Sequence, residues 1–128
     1  MKFFDQDGAW NWVDENNVVL GYRNEQQCCE EAGFYYTYEE PESWNTDKDV
    51  ANEPNKWPDL SQFKFDEDYY RSLKEEESHD SNWRQGAVFR LFCDDKELFL
   101  VLFNHHNGYY SHGFTFKADI DRTINWYL

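Results

Sequence analysis

The chain is short of the residues that usually announce a function. Its 128 residues include three cysteines, three prolines and six glycines, and 12 lysines and arginines stand against 26 aspartates and glutamates. Cys28, Cys29 and Cys93 are an odd number without the spacing of a disulfide framework, which suits a reducing cytoplasm. No run approaches the ~18 apolar residues of a membrane span, and Met1-Lys-Phe-Phe-Asp5 lacks the apolar region of a secretory signal. Phosphate-cradling glycine loops, a Gly-x-Ser-x-Gly elbow and basic–aromatic nucleic-acid surfaces are missing, and so are internal repeats. Leu, Ile, Val and Phe together number 27 of 128, close to the composition at which high net charge leaves a chain disordered.

Aromatic residues make up the deficit. There are 26 of them, and each ring can bury a large area, so a few well-placed Phe, Tyr and Trp replace many aliphatic side chains. We therefore expect one folded domain over 1–128, with 36–82 as an acidic, aromatic-containing insertion. The net charge of −14 is uneven: residues 1–82 carry 21 acidic and 7 basic side chains, whereas 83–128 carry 5 of each. Such a field repels nucleic-acid phosphates and anionic membranes and favours a basic protein as partner. A solvated surface is the plainer explanation of the same charge.

The local patterns predict an α+β fold: a mostly antiparallel sheet of about five strands with one or two short helices. Ala9–Val13 and Val18–Tyr22 read as a hairpin around Asp14-Glu-Asn-Asn17. A helix follows Asn24 as N-cap and ends at Gly33, with Cys28 and Ala32 on its buried stripe. Phe65, Tyr69 and Leu73 recur at helical spacing, which predicts a second helix at about 66–77. From Gly86 the pattern becomes β: Ala87, Phe89, Leu91 and Cys93 share a face, Asp94–Glu97 turns, and 98–104 pairs with 109–116. The last pairing rests on Asn107-Gly108, a dipeptide that tolerates the positive φ of a type I′ turn. Leu98–Asn104 is apolar on both faces and should be central or covered twice.

In that register Phe103 faces His112 and His105 faces Tyr110, so His105 and His112 share an aromatic face. His112 should be buried there and give a ring proton to a tyrosine oxygen, a carbonyl or a carboxylate, with Tyr110 and Glu30 as the partners to expect. His105, His112 and Cys28 form an alternative metal set, the core of a small metal-binding protein or enzyme with a His/Tyr/Cys site. Against it, no Cys-x2-Cys occurs, and Glu30 and Glu31 beside Cys28 and Cys29 oppose a thiolate, so those cysteines are small buried hydrophobes. Asp5-Gln-Asp7-Gly8 begins like a calcium loop, but Asn16 stands where a bidentate Glu is needed. No cofactor is expected. Trp44 and Trp57, set among acidic residues, offer a protein-binding surface or pin a loop to the core.

Cys28-Cys-Glu30, with Leu98–Asn104 leading to Asn107-Gly-Tyr109-Tyr110-Ser-His112-Gly-Phe114, resembles a family of small bacterial and phage proteins of unknown function. A Cys-Cys-Glu helix and an Asn-Gly-Tyr-Tyr-x-His hairpin recur in that family. The resemblance covers roughly 18–35 and 86–116, with 36–82 as an insertion. It implies that Cys28, Cys29, Asn107, Gly108, Tyr109, Tyr110 and His112 form a structural or binding constellation. It also fits a phage or mobile-element origin. The reading that follows is a non-enzymatic acidic module that binds a basic partner surface.

Overall fold

An apolar run with no polar face has to be enclosed on every side, and residues 98–103 are such a run. The computed structural model describes residues 1–25, 31–41, 58–76, 83–106, 112–118 and 122–128. In it the run lies within strand β8 (Lys96–His106), which pairs antiparallel with β4 (Glu31–Thr37) on one edge and β7 (Trp83–Cys93) on the other. The far edge of β7 is shared in succession by β5 (Lys64–Phe65) and β6 (Arg71–Glu76). The second sheet runs β1 (Lys2–Gln6), β2 (Ala9–Val13), β3 (Val19–Arg23), β9 (Gly113–Lys117), β10 (Thr123–Tyr127), and every neighbouring pair is antiparallel.

The two sheets pack face to face. Trp12, Leu20, Tyr22, Phe114 and Phe116 of one meet Phe34, Tyr36, Phe89, Leu98, Leu100 and Leu102 of the other in a single buried cluster. Phe89 lies 4.9 Å from the Phe116 ring and 5.8 Å from that of Phe114, so aromatic pairs carry the seam that aliphatic residues are too few to fill. The opposite face of the β8 sheet is buried as well, under Tyr35, Leu73, Val88, Phe99, Val101 and Phe103, with Tyr69 packed against them. Gly33 is needed in this layer, since a Cβ there would come within 2.5 Å of the Phe103 ring.

The expected α+β class is corrected to two antiparallel five-stranded sheets, with no helix among the described residues. The predicted 66–77 helix is β6 preceded by a turn, in which the Tyr69 N–H reaches the Asp66 carbonyl and the Asp68 N–H the Asp66 side chain. A spacing of four is even, so it satisfies a strand's period of two as well as a helix. Tyr69 and Leu73 do share the outer layer, while the turn puts Phe65 on the inner one. Of the expected helix after Asn24, residues 26–30 lie outside the described residues, and 31–33 are already strand.

The 98–104 strand does not pair with 109–116. β7 and β4 occupy both edges of β8, which leaves no ladder for β9, and β9 inserts between β3 and β10. Phe103 therefore faces Gly33 and Gly86, and Val101 faces Tyr35 and Val88, in place of the β9 partners expected. The Ala9–Val13 hairpin with 19–23 is found in the expected order. β1 precedes it through Asp7 (φ 57°) and Gly8 (φ 75°), a two-residue turn with both central φ values positive.

Val101 is fully buried in the outer layer between Tyr35 and Val88, so Val101→Asp should cost about 4 kcal/mol or more. Urea unfolding reads this, and a folded variant with an unchanged midpoint would contradict the two-faced burial. A second outcome concerns Tyr36, whose hydroxyl accepts the Trp12 Nε1–H at 3.0 Å across the seam. Burial pushes its pKa up to about 12, with the Trp12 hydrogen bond opposing. Its contribution is complete below pH 10, where the unfolded phenol titrates, and is lost as pH rises towards 12, by about 2–3 kcal/mol. Tyr36→Phe should therefore destabilise near neutrality by about 1 kcal/mol and become progressively less harmful above pH 10. Denaturant midpoints of both proteins against pH check the sign.

Candidate functional site

Two turns, one from each sheet, bring carboxylates to the same end of the sandwich. The β2–β3 turn presents Asp14 and Glu15, with Asn17 at φ 61°. The β7–β8 turn presents Asp94, at φ 54°, and Asp95. Asp and Asn suit these positions because a short polar side chain tolerates the left-handed region. Between them lies Lys64 of β5, whose ammonium is 2.7 Å from Glu15.

Asp14 is only 4 % exposed, and its carboxylate serves the backbone. Oδ1 accepts the N–H groups of Asn16 (2.9 Å) and Val18 (3.0 Å), and Oδ2 accepts that of Phe65 (2.9 Å). One side chain thus shapes the β2–β3 turn and fastens it to β5 of the facing sheet. The sequence marks Asp14 as turn material only; its second oxygen satisfies a residue 51 positions away, which local pattern cannot reveal.

Around this anchor the exposed charges fall into two groups. The Lys64 hydrogen bond and charge lower the Glu15 carboxyl below its usual range, and Glu15 raises Lys64 in turn, with Asp14 and Asp94 adding to the effect. Arg90 holds Glu97 at 2.8 Å and Asp66 at 3.1 Å, and Arg122 holds Asp68 at 3.0 Å. On the other side of the β8 sheet, Glu40 accepts the Tyr69 hydroxyl at 2.6 Å and pairs with Arg71 at 2.7 Å, and both contacts lower its carboxyl. By contrast Asp94, Asp95, Asp59 and Glu67 are exposed and form no ion pair among the described residues. Solvent screens each pair strongly, so their worth lies in shaping the surface potential.

His112 is buried at 4 % exposure, as expected, on grounds other than the expected register. It precedes β9 and contacts Tyr22 edge-on at 6.1 Å. Its Nδ1 lies 2.9 Å from the Arg23 carbonyl, an acceptor only, so Nδ1 carries the hydrogen. Its backbone exchanges two 2.8 Å hydrogen bonds with Leu128, whose carbonyl also accepts Asn104 Nδ2 at 3.0 Å. Tyr22 donates to the Phe103 carbonyl at 2.8 Å. His112 thereby stands beside Tyr22 and Leu128, whose hydrogen bonds with Phe103 and Asn104 join the two sheets.

Of the remaining candidates the structure describes only the backbone of His105. The His105 backbone sits in β8 opposite Glu31 and Arg84, and the hairpin that would place it beside His112 is not formed. Cys28, Cys29, Asn107, Gly108, Tyr109, Tyr110, Trp44 and Trp57 lie outside the described residues, as does Glu30. No group of three His, Cys, Asp or Glu able to hold a metal is found among the described residues, and no helix there is long and apolar enough to cross a membrane. An open trough of about 840 Å³ also crosses the outer face of the β1–β10 sheet, bordered by His112 and Tyr22. Its signal in the sequence is the alternation of polar Asn11 and Thr115 with the rings of Trp10, Trp12, Phe114 and Phe116. Comparison with protein-family models, curated proteins and solved structures returns no match.

Asp14→Ala should destabilise by about 3 kcal/mol or more, because three N–H groups lose a charged acceptor and those of Val18 and Phe65 are buried. Asp14→Asn, which keeps one acceptor oxygen, should cost less, and Glu15→Ala, at a solvent-screened position, least of the three. That order, read from denaturant midpoints, separates an anchoring carboxylate from a merely solvated one.

Proposed function

We propose that the protein is a non-enzymatic, cytoplasmic binding module that engages a basic protein through the acidic end of its sandwich, without direct nucleic-acid or membrane contact. The carrying observation is the pair of turns from facing sheets, where Glu15 and Asp94 flank Lys64 and Asp94 and Asp95 stand exposed and form no ion pair among the described residues. Asp14 ties this end to the sheets, so the charges are presented on a stiff base and little ordering is lost on binding. Within a chain of net charge −14, that end adds a local focus to a field that steers cationic partners. The odd cysteine count supports the cytoplasmic assignment.

The test replaces Asp94 and Asp95 together by Asn, which keeps the turn geometry and removes two charges. Binding to lysine- and arginine-rich peptides should fall roughly threefold to tenfold, and wild-type binding should weaken steeply with salt. Capture from lysate at low and high salt, with mass spectrometry, then names the partner. Equal binding by both proteins, or binding indifferent to salt, would contradict the proposal.

A further inference from the structure

The trough on the β1–β10 sheet is built differently from the acidic end. Register carries one row across all five strands: Phe4 opposite Asn11, Asn11 opposite Gly21, Gly21 opposite Thr115, Thr115 opposite Asn125. Four strand spacings make that row about 19 Å long. Its centre is low, because Gly21 has no side chain and Ala9 and Gly113 flank it. Its ends are aromatic. Phe4 is 40 % exposed on β1, and Tyr127 is 67 % exposed on β10. The Tyr127 ring lies over Gly113, where a Cβ would meet it at 3.3 Å, so the ring is held against the sheet as a platform. Phe4 and Tyr127 are thus two of the four exposed large hydrophobics among the described residues, and both line this one trough.

The polar groups between the rings are set in fixed directions. Thr115 donates to Asn125 Oδ1 at 2.7 Å, which leaves the Asn125 Nδ2 hydrogens available. Asn11 Nδ2 is spent on the Ala9 carbonyl, and its Oδ1 stands over Gly21 as an acceptor. An amide donor, a hydroxyl and an amide acceptor in a line match a ligand whose hydroxyls both donate and accept. The charges also select. Asp7 and Glu25 in the lining are offset by Arg23, and Lys2 and Lys117 occupy the row on the other side, so this face is near neutral in a strongly acidic chain. A peptide adding to the sheet would need a free strand edge, and the trough runs over the face.

We infer that this trough binds a neutral oligosaccharide. Sugar rings present electropositive C–H faces to the electron-rich faces of Phe4 and Tyr127, and their hydroxyls bridge the amide row between. The row is long enough for several linked rings, and its volume, about 840 Å³, falls within the range of specific ligand sites.

The test uses neutral hexasaccharides of glucose, xylose, mannose and N-acetylglucosamine as probes, with heparin and an arginine-rich peptide as charged ones. At least one neutral hexasaccharide should shift the amide resonances of Gly21, Gly113 and Thr115, equally at low and high salt. Tyr127→Ala and Asn125→Ala, both at exposed positions, should weaken that binding about tenfold or more with unchanged thermal midpoints, while Tyr127→Phe keeps it. The inference is overturned if no neutral probe moves those resonances, if either Ala variant binds as well as wild type, or if only a charged probe occupies the trough. Because the acidic end is tested by Asp94 and Asp95 and by salt, failure of one reading leaves the other to stand on its own result.

Discussion

Strand β8 sets the terms for everything around it. Leu98, Leu100 and Leu102 on one face and Phe99, Val101 and Phe103 on the other are all 6 % exposed or less, so the strand needs cover on two sides and a partner on both edges. β7 and β4 supply the edges, and the opposite sheet supplies the inner cover. Once the edges are taken, β9 has no place beside β8 and completes the other sheet between β3 and β10. A chain with few aliphatic residues can meet these demands because rings reach across the seam from both sheets, as Phe89 does with Phe114 and Phe116.

Burial on that scale makes an unpaired polar group costly, and several of the partners found bind the two sheets together. Trp12 to Tyr36 and Tyr22 to the Phe103 carbonyl cross the seam within the core. Asp14 crosses it at one end through Phe65, and Asn104 crosses it through Leu128. These bonds contribute modest energy singly, but a slipped sheet would leave buried donors unsatisfied, and they therefore fix the relative position of the sheets. Function inherits that rigidity, since the acidic turns and the trough are both displayed on strands whose register is held from within.

Much of this was legible in the residues. The two-faced apolarity of 98–103 announced a central strand, and turn residues located the β2–β3 and β7–β8 hairpins. Misreadings had physical causes. The Phe65–Tyr69–Leu73 spacing fits both periods, and only the pairing of Leu73 with Gly86 decides for a strand. Asn107-Gly108 is a strong local turn signal, but strand pairing is settled by which edges remain open, a property of the whole sheet. Asp7-Gly8, an equally good signal, marks a real hairpin, although in sequence it also resembles the start of a calcium loop. For the site, acidic excess and His112 burial were readable, whereas Asp14's reach to Phe65 and the row from Phe4 to Asn125 exist only after the sheets assemble.

The central claim is that β8 is enclosed by β4 and β7 while β9 belongs to the facing sheet. Interproton contacts in solution, measured by nuclear Overhauser spectroscopy on labelled protein, test it most directly. The account predicts cross-strand contacts from the Val101 backbone to Tyr35 and Val88, and from Phe114 to Tyr22 and Trp126. Backbone contacts between Val101 and Phe114 would contradict it, because they would mean that the two strands form one hairpin and that the sandwich is wrongly assembled.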